Sequence, residues 1–588
     1  MGKNQNPEEL AKILFEFSYR HEMLGVPFKP RAYQLASESV GALGGEVVET
    51  WRKDGIKGLK SLPGIGQSIA EKIDEYFRTG KIKEYAQMKK SFPVDIWGLS
   101  RIEGLGPKHI RDLYAHLKVK DVDDLKKALK EQRIRKIPRW GAKSEDKLAR
   151  GLGLMESSSE RKLLGEILPV AEAMVEKLKR MKGVKHCVVA GSIRRMQETV
   201  GDIDLIATSD DPKAVMDAFV KLPQVSSVHE KGATRSSVRL ALGLDADLRV
   251  VPDKVFGATL QYFTGDKRHN VLLRELALSK GFTLNEYGLF TLKRVKGKHL
   301  PSKLVVCKTE EEIYSKLGMD TPPPEIRVGA DEIEAALKHR LPALLPYDAL
   351  RGDMHTHSTW TDGTASIEDM AKTAQAHGLT YQAVTDHTKA LAFIHGLDEK
   401  ALLKQCREID ALNKKLRGFT LLKGTECDIL QDGTLDLADS ALAELDWVGV
   451  SIHSHMRLSR AEQTKRILKA LANPQVDCFF HPTCRLIGQR EPIELDLDEV
   501  LAAAKKFRVA LEIDSLPDRS DLRDAHVRAA VRAGIAITID TDAHHPDHYA
   551  FARLGIGVAR RGWATKADVL NTRSLPQLKK YLEKKKRK

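Results

Sequence analysis

The spacing of apolar residues separates an all-helical start from the mixed regions that follow it. Over residues 8–90 apolar side chains recur at helical intervals, as with Leu10, Ile13, Leu14 and Phe17, and glycines interrupt the pattern. This pattern predicts short amphipathic helices that each bury one face.

The pattern changes near residue 163. It predicts a helix over Leu163–Arg180 and then the strands of one sheet, because the apolar runs become short and rich in β-branched residues. These runs are VKHCVVAGS, DIDLIAT, SVRLAL and LRVVP. A proline cluster and an isolated helix follow, and they indicate a connection between two large units with a boundary near residue 348.

Beyond that boundary, short apolar runs alternate with helical stretches. The runs are YQAVTDH, FTLLKGTE, LDWVGVSIH, DCFFHP, RVALEID and IAITIDTDAH. Such alternation is typical of parallel strands joined by crossover helices, and the runs are numerous enough to close a barrel. The predicted fold class is therefore multidomain, with helical, α+β and α/β parts.

Composition adds a polyanionic partner to this picture. A chain of 588 residues is too long to fold around one hydrophobic core, so several domains are expected. The 96 Lys and Arg residues outnumber the 81 Asp and Glu residues and give a net charge of +15, which favours nucleic acid as a partner. The chain shows no secretory h-region and no apolar run that could span a bilayer, so we expect a cytosolic monomer without a membrane partner. The six cysteines lack CxxC spacing, which predicts neither a disulfide framework nor a thiolate zinc site.

Two similar glycine loops interrupt the helical start. LPGIG contains Gly64 and Gly66, and EGLGP contains Gly104 and Gly106. A G-x-G turn at a helix N-terminus exposes backbone N–H groups that can hold a phosphate oxygen without reading a base. One such loop could be an ordinary turn, but two in a basic chain favour DNA binding.

Paired carboxylates mark the first predicted sheet. In AGSIRRMQETVGDIDLIAT, Asp202 and Asp204 are two residues apart, so both point to one face of a strand, where they can hold divalent ions for phosphoryl transfer. A third carboxylate is needed from a neighbouring strand. Asp245 and Asp247 share one face of LGLDADLRVVP, and geometry leaves the choice between them open. A pair of exposed strand acids is the alternative, and the preceding Gly-Ser turn disfavours it.

A second set of metal ligands follows the predicted barrel strands. Twelve of the 20 histidines lie after residue 350, most of them at strand ends beside another ligand type. The carboxyl ends of parallel barrel strands meet at one rim, so these side chains are predicted to converge there and to hold two or three ions. The candidates are His355, His357, Asp362, His387, Glu426, His453, His481, Asp542 and His544. Such clusters attack phosphate esters.

Roughly residues 1–335 resemble the family X DNA polymerases, which include polymerase beta. LPGIGQSIAEKIDEYFRTGKIKEY is similar to the lyase domain of that family, the AGSIRR…DIDLIAT stretch to its palm, and YFTGDKRHNVLLRELALSKGFTLNEYGLF to its thumb. The resemblance implies these domains: 1–90, helical and lyase-like; 91–150, fingers-like with the second helix-hairpin-helix; 151–255, nucleotidyltransferase palm; 256–335, thumb; 336–349, linker; and 350–588, the barrel.

The same resemblance assigns roles to individual residues. It implies that Asp202, Asp204 and Asp247 bind Mg²⁺ or Mn²⁺, although the family often has a non-acidic residue where this chain has Asp245. The implied nucleotide-binding residues are Gly191, Ser192, Arg195, Tyr262, Phe263, Gly265, Asn270 and Arg274. Tyr262 and Phe263 would exclude a ribose 2′-hydroxyl.

Lys72 occupies the place of the family's Schiff-base lysine, with Tyr33 nearby in the alignment. Schiff-base chemistry needs a neutral amine, and therefore a lysine of depressed pKa. A second family lysine is replaced here by Ser68. Lyase activity and plain phosphate binding both stay open at this site.

Residues 350–588 resemble the polymerase-and-histidinol-phosphatase (PHP) domain of bacterial family X enzymes, and no ligand of that pattern is missing. The resemblance implies two or three Mn²⁺ or Zn²⁺ ions, a 3′-to-5′ exonuclease or phosphoesterase, and processing of abasic sites and blocked 3′ ends. Arg485 and Arg519 could contact either phosphate or an acidic partner. The basic tail KKYLEKKKRK is interpreted as a solvated helix end.

Together these features predict a repair polymerase that uses dNTPs to fill short gaps in gapped or primed DNA and that edits 3′ ends. One alternative is a metal-dependent DNA phosphoesterase whose first half only binds DNA. Another is a DNA scaffold without catalysis.

Overall fold

The computed structural model describes residues 6–43, 45–62, 64–102, 104–295 and 298–586. Pro63 of the first glycine loop, Glu103 of the second and the last two residues of the basic tail lie outside these ranges. No helix in the described ranges is long and apolar enough to cross a membrane.

The first part of the chain is helical, as predicted. Leu10, Leu14 and Phe17 of the first helix are fully buried, so the helical spacing read from the sequence marks a real core face. The helices are α1 Pro7–Met23, α2 Lys29–Leu43, α3 Gly45–Leu59, α4 Gln67–Thr79, α5 Lys83–Ser91, α6 Ile96–Ser100, α7 Pro107–Leu117, α8 Val122–Lys130 and α9 Ala142–Glu160. One apolar core lies among α1 to α5 and another among α6 to α9.

The next unit is a sheet with helices against it. Four strands of the sheet occur where β-branched runs predict them, and the fifth, Val225–Lys231, was not predicted. The elements of the unit are β1 Lys162–Leu163, α10 Leu164–Lys179, β2 Val184–Val189, α11 Gly191–Arg194, β3 Thr199–Val200, β4 Asp202–Ser209, α12 Pro212–Phe219, β5 Val225–Lys231, β6 Arg235–Leu240 and β7 Asp245–Val251. The strand order is β2-β4-β7-β6-β5, and β4 and β7 are parallel neighbours. This pairing brings the two predicted carboxylate strands together.

The thumb-like unit follows directly. It consists of α13 Phe256–Thr264, α14 Lys267–Ser279, β8 Phe282–Asn285, β9 Gly288–Val295, β10 Lys298–Val306, α15 Glu310–Lys316 and α16 Glu332–Leu337. Its small antiparallel sheet has the order β10-β9-β8. Beyond α16 the chain runs onto the last unit, where the backbone N–H of Leu345 donates to the carbonyl of Ala564 at 2.9 Å.

The last unit is a nearly closed parallel barrel with helices around it. Its elements are β11 Gly352–Asp353, α17 Ile367–Ala376, β12 Tyr381–Val384, α18 Glu399–Asn413, β13 Thr420–Asp428, α19 Asp439–Leu442, β14 Trp447–Ser451, α20 Arg460–Leu471, β15 Cys478–Phe479, α21 Leu497–Phe507, β16 Ala510–Asp514, α22 Asp524–Ala533, β17 Ile537–Asp540, α23 Ala552–Arg561 and α24 Leu575–Lys586.

The barrel strands run in sequence order from β11 to β17, and each neighbouring pair is parallel. A parallel bridge between Thr356 and Ala543 connects the two edge strands just beyond their carboxyl ends. All strand ends therefore face one rim, and the predicted fold class is confirmed.

Two candidate metal centres

The side chains at the carboxyl ends of the barrel strands converge into one buried cluster. Each of the nine predicted ligands belongs to at least one group whose ligand atoms all lie within 4.8 Å of one another. The groups are His357, Asp362, His387 and His544; His355, His357 and Asp542; His355, Glu426 and His481; and His387, Glu426 and His453. The structure thus gathers residues that are up to 189 positions apart in the chain, from His355 to His544.

Glu426 is the centre of this cluster. Its Oε1 lies 2.8 Å from Nε2 of His481 and 3.3 Å from Nε2 of His453. Its Oε2 lies 2.8 Å from Nδ1 of His387 and 3.4 Å from Nε2 of His355. A carboxylate whose two oxygens each face two imidazoles is suited to bridge neighbouring ions.

Several buried atoms of the cluster have no hydrogen-bond partner among the described residues. They include Nε2 of His355, both ring nitrogens of His357, Oε2 of Glu426 and Oδ1 of Asp542. An unsatisfied buried polar atom costs about 1–3 kcal/mol, so a fold that gathers several of them requires a compensating ligand. Imidazole nitrogens and carboxylate oxygens are ligands of divalent transition metals, and these residues therefore fit a cluster of such ions.

Outer carboxylates orient the ring ligands. Oε1 of Glu512 lies 2.7 Å from Nδ1 of His355, and Oδ1 of Asp428 lies 3.2 Å from Nδ1 of His453. Such contacts fix which ring nitrogen faces the metal and raise the basicity of the imidazole. The sequence reasoning missed both residues. A signal was present in the strand ALEID, where Glu512 and Asp514 repeat the spacing of Asp202 and Asp204.

The electrostatics of the cluster separate its ligands into two kinds. Burial lowers the pKa of His357 to about 3, with His544 and His387 contributing, so this ring is neutral and ready to bind an ion. Burial opposes protonation of His355 as well, but the facing carboxylates of Glu512, Asp542 and Glu426 raise the pKa of His355 well above its ordinary value. A cation that binds at His355 must therefore displace a proton.

The two barrel arginines bind acidic partners. Nε of Arg519 lies 3.2 Å from Asp514 and 3.6 Å from the predicted ligand Asp542. Both Nη atoms of Arg485 donate to Glu198 of the palm-like unit, at 3.1 and 2.7 Å. The sequence left open whether these arginines contact phosphate or an acidic partner, and the structure shows each of them in an ion pair.

The second candidate centre lies where β4 meets β7. Asp204 is the register partner of Asp247, and Asp202 is the partner of Asp245. Burial raises the pKa of Asp204 to about 7, and the negative charges of Asp202 and Asp247 add to this effect. These carboxylates repel one another in a desolvated place, which is the arrangement that divalent cations stabilise.

Asp247 and Asp245 differ in what holds them. Arg239 donates to Oδ1 of Asp245 at 2.9 Å, His229 lies 3.2 Å from the same atom, and the pKa of Asp245 is lowered, chiefly by the Arg239 hydrogen bond. Oδ1 of Asp247 is buried without a hydrogen-bond partner in the described chain. This difference supports Asp247 as the third metal ligand.

The turn of α11 closes over Asp204. Gly191 has a φ of 57°, and a Cβ atom at this position would lie 2.3 Å from Oδ2 of Asp204, so only glycine fits. The Oγ atom of Ser192 beside it is buried and has no hydrogen-bond partner among the described residues. Both features leave space and polar groups for a ligand next to the carboxylates.

The predicted nucleotide contacts from the thumb lie beside this turn. Arg195 donates to the carbonyl of Thr264, and a Cβ atom on Gly265 would lie 3.1 Å from Nη1 of Arg195. Tyr262 and Phe263 lie edge to face with ring centroids 5.2 Å apart.

The other two predicted thumb residues differ in their surroundings. The Asn270 amide donates to the carbonyl of Tyr262 at 2.7 Å, whereas Arg274 is exposed on α14. Asn270 is thus held against the aromatic pair, whereas Arg274 lies on the exposed face of its helix.

Lys72 on α4 is paired with an acid. Its Nζ lies 2.9 Å from the carboxylate of Glu84 and 3.2 Å from the hydroxyl of Ser68. Although burial opposes the charged form, the hydrogen bond that Lys72 donates to Glu84 and the neighbouring Tyr33 raise the pKa of Lys72. This direction is opposite to the depression that Schiff-base chemistry requires.

The two glycine loops each precede a helix. Gly64 and Gly104 have φ values of 70° and 93°, the left-handed region that glycine tolerates. Gly66 and Gly106 are the residues immediately before α4 and α7, and a Cβ atom at either would meet nothing within 4 Å. The helix N-termini are therefore open to an approaching phosphate.

Comparison with known proteins gives a consistent result along the chain. Family models match a helix-hairpin-helix domain at residues 4–82, a SAM-like helix-hairpin-helix tandem at 98–153, the DNA polymerase beta thumb at 259–328 and a PHP domain at 353–515. The chain is 37% identical over 579 residues to the DNA polymerase/3′-5′ exonuclease PolX of Bacillus subtilis (strain 168), which covers 98% of this chain and 99% of that protein. The chain belongs to the PolX family of DNA polymerases.

Other relatives are shorter proteins that match only part of this chain. A probable phosphatase of Thermoanaerobacter sp. (strain X514) is 30% identical over 249 residues, 40% of this chain and 96% of the relative. A probable phosphatase of Acetivibrio thermocellus is 30% identical over 202 residues, 33% of this chain and 78% of the relative. A part of this chain thus has relatives that occur as shorter, separate proteins.

Proposed function

We propose that this chain extends DNA primers at short gaps with its palm and removes nucleotides from 3′ ends with its barrel. The observation that carries the proposal is that one chain contains both the Asp204–Asp247 pair on adjacent parallel strands and the enclosed cluster around Glu426. The similarity to PolX over nearly the whole chain supports the same pair of activities.

In the palm, Asp202, Asp204 and Asp247 would hold Mg²⁺ or Mn²⁺, because small hard cations prefer carboxylate oxygens. Ions bound there supply positive charge to the attacking 3′ oxygen and to the leaving pyrophosphate. Ser192 and Arg195 orient the triphosphate from the turn above Asp204. Tyr262 and Phe263 form the wall beside the deoxyribose, and they leave no room for a 2′-hydroxyl.

In the barrel, the nine ligands would hold two or three Mn²⁺ or Zn²⁺ ions, because imidazole-rich sites favour transition metals over Mg²⁺. Ions bound there polarise the phosphate ester and acidify an attacking water. Glu426 spans neighbouring positions in the cluster, Glu512 fixes the ring of His355, and Arg519 balances the negative charge of Asp514 and Asp542.

The helical start would hold the DNA. The N–H groups after Gly66 and Gly106 bind backbone phosphates, and Lys72 adds a charged amine that contacts a phosphate. Because these contacts read the backbone alone, we propose sequence-independent binding of gapped or primed DNA. The raised pKa of Lys72 favours this role over a lyase role.

The test uses an end-labelled gapped DNA with Mg²⁺ or Mn²⁺, with and without dNTPs. Asp204→Ala should lose extension and keep shortening, whereas His355→Ala should lose shortening and keep extension. Extension by Asp204→Ala at the wild-type rate would contradict the polymerase assignment. Wild-type protein that shortens DNA but never extends it would favour the rival proposal, a phosphoesterase whose first half only binds DNA.

A further inference from the structure

A short segment joins the two halves of the palm site. Residues Arg195–Gly201 connect α11, which carries Ser192, to β4, which begins at the metal-ligand candidate Asp202. Met196 in this segment has a φ of 51°, a conformation that L-residues rarely adopt without support from their surroundings. The position of Asp202 relative to Ser192 therefore depends on what holds this segment.

Two arginines of the barrel hold it. Arg485 forms a bidentate pair with Glu198 at 3.1 and 2.7 Å, and Arg561 donates to the same carboxylate at 3.3 Å. Arg561 also donates to the carbonyl of Met196, and its Nε binds Asp524 at 2.9 Å. Two cations thus face two carboxylates, and the side chain of Arg561 is only 3% exposed.

The surrounding surfaces are tightly packed. A Cβ atom on Gly165 of α10 would lie 2.6 Å from Pro517 of the barrel. A Cβ atom on Gly557 of α23 would lie 2.9 Å from the side chain of Met196. Leu554 of α23 belongs to the apolar core of the palm. The ion pairs consequently join surfaces that cannot slide past one another freely.

The palm holds the same segment from its other side. The backbone N–H of Leu164 donates to the carbonyl of Glu198 at 3.0 Å, and Arg161 donates to the hydroxyl of Thr199 at 2.9 Å. These bonds fix the backbone, whereas the carboxylate of Glu198 is held by the barrel. The barrel therefore adds the contacts to the carboxylate of Glu198 and to the carbonyl of Met196.

We propose that Arg485 and Arg561 are positioning residues for the polymerase reaction, which they serve by holding Glu198 and, through it, the segment that ends at Asp202. This inference rests on the proposed polymerase function. It means that the barrel assists DNA synthesis in addition to its own chemistry, and that loss of these ion pairs misplaces Asp202 against the triphosphate.

The test compares Glu198→Gln, Arg485→Met and Arg485→Lys in the full-length chain. Arg553→Met is the matched control, because Arg553 pairs with Glu172 of the palm at 2.5 Å across the same interface, and no hydrogen bond or ion pair in the described part of the chain joins Arg553 to residues 195–201. For each variant, kcat and KM for dNTP incorporation are measured on gapped DNA over a range of Mg²⁺ concentrations, together with hydrogen exchange of the amides of residues 196–203.

We expect Glu198→Gln and Arg485→Met to lower kcat by about 10–100-fold and to raise the Mg²⁺ concentration needed for half-maximal rate, since small misplacements cost this much. Arg485→Lys should recover part of the rate because it keeps the charge. Amide exchange in the segment should increase in parallel. Arg553→Met should match wild type in all three measurements.

The proposal is overturned if Glu198→Gln and Arg485→Met lower only the melting temperature and leave kcat, Mg²⁺ dependence and segment exchange at wild-type values. If Arg485→Met fails to fold, Glu198→Gln and Arg485→Lys carry the same comparison. Wild-type protein without any incorporation would refute the polymerase function itself. The hydrogen-exchange result would still decide whether the barrel holds the segment.

Discussion

In the palm, carboxylates line one edge of an open sheet, whereas in the barrel a ring of imidazoles and carboxylates encloses Glu426. Asp202 is exposed beside the half-buried Asp204 and Asp247, but His355, His357 and Glu426 are almost completely buried. The open edge leaves room for a triphosphate and a primer end, which bring oxygens of their own to the ions. In the barrel, nine side chains of the protein itself would supply ligands to the ions.

This difference in enclosure explains why the two centres should tolerate change differently. In the barrel, Glu426 belongs to two of the four ligand groups, so its removal would weaken both of them at once. In the palm the ions depend on a few carboxylates and on the turn above them.

The largest effect is expected for Glu426→Gln. The amide keeps the shape of the side chain but loses the charge that faces the imidazoles, so shortening of DNA should fall by more than about 10³-fold. Extension should stay within twofold of wild type in the same assay. Shortening that stays within tenfold of wild type would show that the cluster has no central bridging ligand.

Gly191→Ala should damage only the palm. The added Cβ would lie 2.3 Å from Oδ2 of Asp204, so the turn or the carboxylate must move, and dNTP incorporation should fall by about 10²-fold. Gly183→Ala is the control, because Gly183 also has a positive φ but a Cβ there would meet no atom closer than 3.8 Å. Equal rates for the two variants would contradict the proposed role of the turn.

Metal binding should release more protons from the barrel than from the palm. Burial and the neighbouring carboxylates raise the pKa of Asp204 to about 7, so this group is partly protonated in the metal-free protein and filling the palm should release a fraction of a proton. The pKa values of His355, His387, His453 and His544 are all raised, so these rings carry protons that ions must displace.

The sign of the pH dependence follows from these shifts. Because protons compete with the ions, affinity should fall at both sites as the pH falls, and more steeply in the barrel. Calorimetric titration with Mn²⁺ in two buffers of different ionisation enthalpy counts the protons. The protons released from the palm are counted in Glu426→Gln, and those released from the barrel are counted in Asp204→Ala. Equal proton release from both variants would contradict the contrast.

The smallest effect concerns a third chemistry, at Lys72. Because Glu84 raises the pKa of Lys72, the neutral fraction should be below the roughly one in 10³ of an ordinary lysine near pH 7.5. Borohydride trapping on abasic DNA should be weak in wild type and a few-fold stronger in Glu84→Gln. Glu71→Gln is the control, because Glu71 lies on the helix of Lys72 but is hydrogen-bonded to Gln67. Strong wild-type trapping that Lys72→Ala removes would establish a lyase site.

The barrel centre could be predicted more fully from the sequence than the palm centre. Parallel strands must end at one rim, so periodicity brings together the six of the nine barrel ligands that follow an apolar run: His387, Glu426, His453, His481, Asp542 and His544. The choice between Asp245 and Asp247 could not be made in this way, because both side chains share a strand face. Arg239 and His229 contact Asp245 and so favour Asp247, and they lie on neighbouring strands whose register the sequence does not reveal.

The outer residues of both sites were beyond sequence reasoning for a different reason. Glu512 supports His355 from a strand 157 positions away, and Arg485 reaches Glu198 across 287 positions. Such partners depend on how strands and whole units pack, whereas a local motif depends only on neighbours in the chain. The raised pKa of Lys72 could not be predicted for the same reason, because its partner Glu84 is on the next helix.

If one chain carries two independent centres with opposing reactions, it should convert labelled dNTP to dNMP on a primed template. Extension consumes dNTP and releases pyrophosphate, and shortening with water releases dNMP, so steady turnover needs both centres. Wild type should form dNMP continuously, whereas Asp204→Ala and His355→Ala should form none. Continuous dNMP formation by either variant would contradict the claim.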